Sequence, residues 1–299
     1  MPFGAVSKVD DIRQPSGGTR SHAALHGPCI GDRSQRLSVD GRASTVDDPA
    51  YAAIMASPIH VLAPAKLTLS LRMVGLRDDG MHLLDAEMIT LSFGDALEIS
   101  PIEASAGRGS ALRIEGADEG IPVGADNLVM RALDLVGVHA DVVITKAIPP
   151  GGGLGGGSAD AAAILRWAGY TDHVAAGKLG ADIPFCMVGG RARVTGIGEV
   201  IEPLPFVEQT VTLLTPPFGC NTAAVYRAWD DLGGPVGDNG NDLEAAAVVV
   251  EPRLAQWRDK LGEATGEQPR LAGSGSTWFV EGSFAQRGLT VAKATPSLP

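Results

Sequence analysis

A chain of 299 residues with 44% hydrophobic and 20% charged residues is long enough for two domains with buried cores. The net charge of −11 lies in residues 55–299, because residues 1–54 contain six acidic and six basic side chains. An acidic body lacks the basic patch of a nucleic-acid binding protein, which excludes nucleic acid as a general partner. An anionic ligand would need backbone amides, a lysine and a divalent cation for charge compensation.

Three isolated cysteines, Cys29, Cys186 and Cys220, predict a reducing compartment and neither a disulfide framework nor a zinc site. Cys186 lies in an apolar run and is expected to be a small buried hydrophobe. No run approaches the roughly 18 apolar residues of a transmembrane helix, and the N-terminus lacks the hydrophobic region of a signal peptide. We therefore expect a cytoplasmic protein with no membrane contact.

Residues 1–54 mix Gly, Ser, Arg and Asp without helical or strand periodicity. Such a composition does not supply a hydrophobic core, so this segment is expected to be a disordered extension. A targeting segment is the alternative interpretation, and the six acidic residues argue against a transit peptide.

The first regular pattern predicts a strand over Ile59–Met73, with alternating apolar residues and an interruption at Pro64. Lys66 lies within or beside this strand, where a solvated lysine is the ordinary interpretation. The alternation over 86–99 predicts a strand pair that turns around Gly94 and Asp95.

A helix is predicted over residues 128–138, with apolar residues on one face and Asp126 or Asn127 as its cap. The β-rich segment Asp141–Thr145 then predicts a strand that leads the chain into a glycine-rich loop.

The glycine-rich loop, residues 151–157, contains six glycines broken only by Leu154 and precedes a helical apolar run over 161–167. Glycine adopts positive φ and allows backbone N–H groups to crowd around a ligand. We expect Ser158 or Asp160 to cap or begin the helix, whose unpaired N–H groups and dipole favour a bound phosphate.

Three other interpretations of this loop are weaker. The spacing G-x-G-x-x-G also occurs here, but no acidic residue about 20 positions on obviously ends a second strand, as a dinucleotide site requires. A Walker loop needs Lys and Ser/Thr after its last glycine, whereas Gly157 is followed directly by Ser158. A flexible linker would have polar, aperiodic flanks.

Further along, Asp182 is expected at a helix-to-strand junction, where a turn or cap aspartate is the alternative to a functional acid. Residues 189–202 predict a strand hairpin with glycine breaks. A second domain is expected from near Glu202, with a strand over 211–218 and then, over 220–229, a loop that enters a helix bearing Tyr226 and Trp229.

The stretch PPGGGLGGGSADAA resembles the phosphate-binding motif of the GHMP kinases, the galactose, homoserine, mevalonate and phosphomevalonate kinases. It is most similar to the branch that phosphorylates 4-diphosphocytidyl-2-C-methyl-D-erythritol in the non-mevalonate isoprenoid pathway. Three other stretches resemble this branch in the same order: APAKLTLSLRMVGLRDDGMH, LGADIPFCMVGGRARVTGIGEVIEPL and LAGSGSTWF.

The resemblance implies an α+β, two-domain GHMP kinase fold, with a ribosomal-protein-S5-domain-2-like N-terminal domain and a ferredoxin-like C-terminal domain. The expected boundaries are a disordered extension over 1–54, an ATP-binding domain over 55–201 and an abbreviated C-terminal domain over 202–299. Because the family-like segment begins only at Ile59, Met55 is a candidate initiator, and the extension would then not be translated.

The resemblance also implies ATP-dependent phosphorylation of a hydroxyl group with Mg²⁺. Asp182 would accept the hydroxyl proton, Lys66 would stabilise charge on the transferred group, and Ser158 would be a Mg²⁺ ligand. The residues expected at the triphosphate are Pro149, Pro150, Gly151, Gly152, Gly153, Leu154, Gly155, Gly156, Gly157, Ser158 and Ala159.

On the acceptor side, the resemblance assigns His82, Thr222 and Tyr226 to the cytidine, and Thr68 to a position where related enzymes have an asparagine. Met81 occupies the place of an aromatic ring that stacks on the base. These differences leave two alternatives: a GHMP kinase for another small alcohol, and a non-catalytic nucleotide-binding relative. A monomer and a homodimer are both compatible with the sequence.

Overall fold

The computed structural model describes residues 57–103, 106–116 and 120–298, together with the two short strands β1 (Ser38–Val39) and β2 (Arg42–Ala43). β1 and β2 pair in antiparallel fashion. The rest of the expected extension over 1–54 lies outside the described residues. The described residues from 57 onward form one compact unit, so the expected boundary between 201 and 202 stays a prediction.

The remaining elements follow one another along the chain mostly in runs of strands and runs of helices. The strands are β3 (Ile59–Leu76), β4 (His82–Pro101), β5 (Ala111–Glu115), β6 (Ala140–Thr145), β7 (Arg191–Gly196), β8 (Val200–Pro203), β9 (Thr210–Leu214), β10 (Arg270–Leu271), β11 (Trp278–Glu281) and β12 (Thr290–Thr295). The helices are α1 (Leu128–Val136), α2 (Gly156–Trp167), α3 (His173–Gly177), α4 (Ile183–Val188), α5 (Thr222–Asp231), α6 (Glu244–Val250) and α7 (Arg253–Thr265).

The long strand β4 organises the sheet. β3 pairs with it in antiparallel fashion, with irregular register between Pro64 and Lys66. Its other partners follow one another along the strand: β7 beside its first residues, β12 beside Thr90 and Leu91, and β6 beside its last residues. Because β12 also pairs with β9, the last strand joins the C-terminal strands to the sheet that β4 centres.

Part of the core lies between this sheet and the helices α1, α2 and α4, which contact one another through α2. The alanines of α2, such as Ala162 and Ala163, are fully buried, because small side chains let the helix approach β3 closely. Phe185 of α4 and Leu133 of α1 fill the adjoining space. No helix in the described part of the chain combines the length and hydropathy that a membrane span requires.

The structure shows which residues cap the N-termini of two predicted helices. Asn127 caps α1 and accepts the Val129 N–H at 2.8 Å, as predicted. The cap of α2 is Gly155, with φ 72°, so the expectation of Ser158 or Asp160 as the cap was wrong and the helix begins at Gly156. Glycine replaces a side-chain cap here because the left-handed conformation is accessible to it without strain.

Two element predictions were also wrong. Residues 86–99 form part of one continuous strand and do not turn at Gly94, because this glycine lies flat against β3 opposite Pro64. Asp182 precedes the short helix α4 and not a strand, since Pro184 lies in its first turn, where proline's missing N–H costs nothing. The predicted hairpin after Gly190 is present as β7 and β8.

The contact of Gly94 with β3 leads to a test of the fold. A Cβ at Gly94 would meet the backbone of β3, at 2.6 Å from Pro64 Cα and closer still to Ala63 O. We expect Gly94→Ala to lower the free energy of unfolding by about 1–3 kcal/mol, measured by urea denaturation. Gly109→Ala, at an exposed position with no atom within 4 Å, is the matched control. Equal stability of the two variants would contradict this packing.

Candidate active site

The glycine-rich loop (151–157) ends in the N-terminus of α2, and the cap residue Gly155 offers no side chain to the first helical N–H groups. Unpaired N–H groups and the positive end of the helix dipole favour an anion at this position. The loop therefore has the local chemistry of a phosphate site.

Lys66 joins strand β3 to this loop. Its backbone N–H donates to Leu154 O at 3.0 Å, in the region where the pairing of β3 with β4 is irregular. A Cβ at Gly155 would lie 2.7 Å from Lys66 Cγ, so a glycine is required for the lysine stem to pass beside the loop. The loop and the lysine thus depend on one another for their positions.

The ammonium group of Lys66 lies beside Asp182. Lys66 Nζ is 3.1 Å from Asp182 Oδ2 and 3.2 Å from Thr68 Oγ1. The lysine side chain is 7% exposed, whereas the carboxylate is 32% exposed. Asp182 occupies the N-cap position of α4 without capping it, which leaves its carboxylate available to the lysine and to a ligand.

A second glycine segment, Gly273–Gly275, lies near Lys66 and is called the GSG turn. A Cβ at Gly273 would lie 3.6 Å from Thr68 Oγ1 and 4.0 Å from Lys66 Nζ. Just beyond the turn, the Thr277 N–H donates to Gly152 O at 3.1 Å. The GSG turn therefore lies against both the lysine and the glycine-rich loop.

These segments enclose a cavity of about 530 Å³. Most of the residues predicted at the site line it. They are Lys66, Thr68, Pro149, Pro150, Gly151, Gly152, Gly153, Leu154, Gly155, Gly156, Gly157, Ser158, Asp182, Thr222 and Tyr226. Ala159 and His82 do not line the cavity: Ala159 is buried inside α2, and the His82 imidazole packs elsewhere.

His82 packs against residues of α5. Its ring centroid is 5.2 Å from that of Tyr226 and 5.7 Å from that of Trp229, and its Nε2 is 2.8 Å from Asp230 Oδ1. Tyr226 lines the cavity, and burial together with the charge of Asp182 raises the pKa of its hydroxyl to about 12. The imidazole thus supports the ring of Tyr226 from outside the cavity. Met81, the neighbour of His82, is 48% exposed.

Sequence patterns missed a buried charge cluster formed by Lys146, Asp95 and Asp160. Lys146 Nζ lies 2.5 Å from Asp95 Oδ2 and 2.9 Å from Asp160 Oδ2. Asp95 Oδ1 also accepts the N–H groups of Ala147 and Ile148, at 2.6 and 2.8 Å. Asp95 had the signal of a turn residue, and only its position in a long apolar strand indicated a buried charge.

The cluster contains two carboxylates for one lysine. Burial, with the charge of Asp95 as a further contribution, raises the pKa of Asp160 from 3.8 to about 7 despite the nearby lysine. The pKa of Lys146 is also raised, because its two carboxylate partners outweigh desolvation. Asp160 Oδ1 is buried and has no hydrogen-bond partner in the structure.

The chemistry of the cavity wall fits a divalent cation held in part by a phosphate ligand, because Ser158 and Asp182 both offer oxygen atoms there. The described residues contain no group of three or more His, Cys, Asp or Glu side chains that could hold a metal ion. Mg²⁺ in such sites commonly retains water and takes its other ligands from substrate phosphates and one or two side chains. Ser158 and Asp182, which line the cavity together, are the candidates.

A family model described as the GHMP kinases N terminal domain matches residues 127–190, which include the glycine-rich loop, α2 and Asp182. The fold and this loop are thus those of the GHMP kinase class. A 4-diphosphocytidyl-2-C-methyl-D-erythritol kinase of Paracoccus denitrificans is 36% identical over 250 residues, covering 76% of this chain and 88% of that protein. The kinase of the same name from Pelotomaculum thermopropionicum is 39% identical over 259 residues, covering 74% of this chain and 88% of that protein.

A crystal structure of 4-(cytidine 5'-diphospho)-2C-methyl-D-erythritol kinase is also similar, with a TM-score of 0.63 and 28% identity. The match covers 79% of this chain and 99% of that chain. The chain belongs to the family of the 4-diphosphocytidyl-2-C-methyl-D-erythritol kinases.

The pKa of Asp160 yields a test of the buried cluster. Between pH about 4 and 7 the unfolded chain has lost this proton while the folded chain retains it, so stability falls as the pH rises. We expect the unfolding free energy of Asp160→Asn, relative to the unmodified chain, to increase across this window by roughly 1–4 kcal/mol. Denaturant unfolding at a series of pH values measures it.

Asp141→Asn provides a control of opposite sign. The Arg108 guanidinium holds the pKa of Asp141 below its usual value, so stability from this pair is lost as the pH falls. If the difference in unfolding free energy between Asp160→Asn and the unmodified chain does not change with pH, the raised pKa of Asp160 is contradicted.

Proposed function

We propose that this protein transfers the γ-phosphoryl group of ATP to the 2-hydroxyl of 4-diphosphocytidyl-2-C-methyl-D-erythritol, in the non-mevalonate route to isoprenoid precursors. The observation that carries the proposal is the 3.1 Å contact of Lys66 with Asp182 beside the glycine-rich loop. The family membership supports the choice of acceptor, since the relatives bear the name of that kinase.

The triphosphate binds along the glycine-rich loop, with backbone N–H groups and the N-terminus of α2 as its partners. Phosphoryl transfer depends chiefly on positioning and on stabilisation of spread negative charge. In a chain with a net charge of −11, these local groups compensate the phosphates where the overall charge does not. Mg²⁺, when bound with the nucleotide, neutralises further charge on the phosphates, with Ser158 as its candidate protein ligand.

Asp182 accepts the proton of the attacking hydroxyl, and Lys66 stabilises the charge that develops on the transferred group. The partly exposed carboxylate faces the cavity, while the buried lysine is held by Thr68 and by its own backbone bond to Leu154. A fixed ammonium group needs little reorganisation during the reaction, which favours the transition state.

We assign residues 55–201 to the ATP-binding domain and residues 202–299 to the C-terminal domain. The acceptor binds on the side of the cavity that the C-terminal residues form. Thr222 and the ring of Tyr226 face this side, and Thr222 Oγ1 lies 2.9 Å from Ser274 Oγ. Tyr226 offers an aromatic face to the cytosine. With Met81 in place of a second ring, the base is held chiefly from one face, and His82 contributes by supporting Tyr226.

The catalytic roles are tested by turnover of ATP with and without 4-diphosphocytidyl-2-C-methyl-D-erythritol. We expect acceptor-dependent turnover in the unmodified chain and a loss of roughly 10²–10⁴-fold in kcat for Asp182→Asn, because the proton acceptor is removed. Lys66→Ala should lower kcat comparably. Asp172→Asn, at the cap of α3 and outside the lining of the cavity, is the control. Acceptor-independent turnover, or none, would overturn the proposed function.

The acceptor assignment is tested separately at Tyr226. We expect Tyr226→Ala to raise the KM for the acceptor by about 10-fold or more, because a stacking contact is worth about 1–3 kcal/mol. Tyr226→Phe, which keeps the ring, should retain most of the affinity. CMP should compete with the acceptor and not with ATP. Turnover of another small alcohol without inhibition by CMP would favour a different GHMP kinase activity, and nucleotide binding without any product would favour a non-catalytic relative.

A further inference from the structure

Asn241 is a buried polar residue outside the cavity, and every hydrogen-bonding group of its side chain is used. Its Nδ2 donates to Leu271 O at 2.9 Å and to Gly273 O at 2.7 Å. Its Oδ1 accepts the Leu243 N–H at 3.0 Å, and the residue is 3% exposed. A side chain with both donors and its acceptor engaged has a single orientation, so it fixes the carbonyls to which it donates.

The backbone around Asn241 is attached to the strand that bears Lys66. The Leu71 N–H donates to Gly240 O at 2.8 Å, and the Asp242 N–H donates to Leu71 O at 3.0 Å. The carboxylate of Asp242 strengthens this attachment, because its Oδ2 accepts the Met73 N–H at 2.8 Å. Lys66 and Leu71 both belong to β3, so the position of Asn241 is tied to that of the lysine.

Asn241 therefore connects β3 to the GSG turn through hydrogen bonds. One end of this connection is the backbone of β3, and the other is the carbonyl of Gly273, whose Cα region lies beside Lys66 and Thr68. The turn also bears Ser274, the partner of Thr222. Displacement of the turn would alter the wall of the cavity next to both the lysine ammonium group and the proposed acceptor site.

We propose that Asn241 is a positioning residue for phosphoryl transfer, which acts by holding the GSG turn against Lys66 and Thr68. This role rests on the proposed kinase function. The glycine-rich loop keeps its own support when Asn241 is lost, since Thr277 remains held by Gly152, by Thr215 and by the adjoining strand β11. The effect should thus fall on the reaction and the acceptor more than on nucleotide binding.

The test compares Asn241→Ala and Asn241→Asp with the unmodified chain. We expect kcat to fall about 10–100-fold, since a displacement of about 1 Å near the reacting groups costs about this much, with the affinity for ATP unchanged. In Asn241→Asp, an ionised carboxylate would face two carbonyl oxygens. Its kcat relative to the unmodified chain should therefore rise as the pH falls, because a protonated carboxyl regains one donor.

Asn239→Ala is the matched control. Asn239 also donates to a backbone carbonyl, Pro269 O at 2.7 Å, but this carbonyl precedes β10 and is not part of the GSG turn. We expect Asn239→Ala to retain the kcat of the unmodified chain, and thermal unfolding reports whether each variant is folded.

The outcomes separate this inference from the proposed function. Acceptor-dependent turnover in the unmodified chain, with unchanged kcat in a folded Asn241→Ala, would overturn the positioning role alone. Absence of turnover in the unmodified chain would overturn both. If neither Asn241 variant folds, the residue is required for folding and the positioning role is likewise rejected.

Discussion

The double attachment of Lys66 is the constraint on which the site depends. Its backbone holds the glycine-rich loop through Leu154, and its ammonium group lies beside Asp182. Lys66 lies in β3, and Asp182 lies at the start of α4. One residue therefore sets the distance between the proposed phosphate site and the proposed base. The glycine at position 155 follows from this arrangement, because any larger residue would displace the lysine stem.

The buried charge cluster of Lys146, Asp95 and Asp160 holds the chain on both sides of the glycine-rich loop. Asp95 accepts two backbone N–H groups just before the loop begins, and Lys146 connects it to Asp160 in α2. These ionic contacts are buried, so their value depends on complete hydrogen bonding more than on attraction alone. Asp160 falls short of that condition, because one of its oxygens has no partner, and burial raises its pKa.

The acidic character of the chain makes these local devices necessary. With a net charge of −11, the long-range field opposes the approach of a triphosphate. Binding must therefore come from groups within a few ångströms of the ligand, such as oriented amides, a helix terminus and a fixed lysine. The cavity concentrates these groups, while two of the carboxylates that line it, Asp160 and Asp182, are paired with lysines.

Residues distant in sequence complete the same cavity. The GSG turn and α5 follow the glycine-rich loop by many residues, yet they supply the walls beside Lys66 and beside the proposed acceptor. β12 makes this possible by joining the C-terminal strands to β4. The acceptor side differs from the phosphate side in its chemistry, since it offers an aromatic ring and hydroxyl groups in place of backbone amides.

From the sequence alone came the α+β class, the family, the glycine-rich loop as a candidate phosphate site, and Lys66 and Asp182 as a candidate pair through the resemblance to the GHMP kinases. The loop and its helix were predictable because glycine spacing and helix patterning are local properties that short segments encode, and the rest followed from motifs that are themselves short and local. Only the tertiary structure decided that β4 runs straight through Gly94, that Gly155 caps α2, and that the His82 imidazole packs behind Tyr226. The roles of Asp95 and Asn241 were equally invisible, because their partners lie far away in the chain and a buried polar residue is defined by those partners.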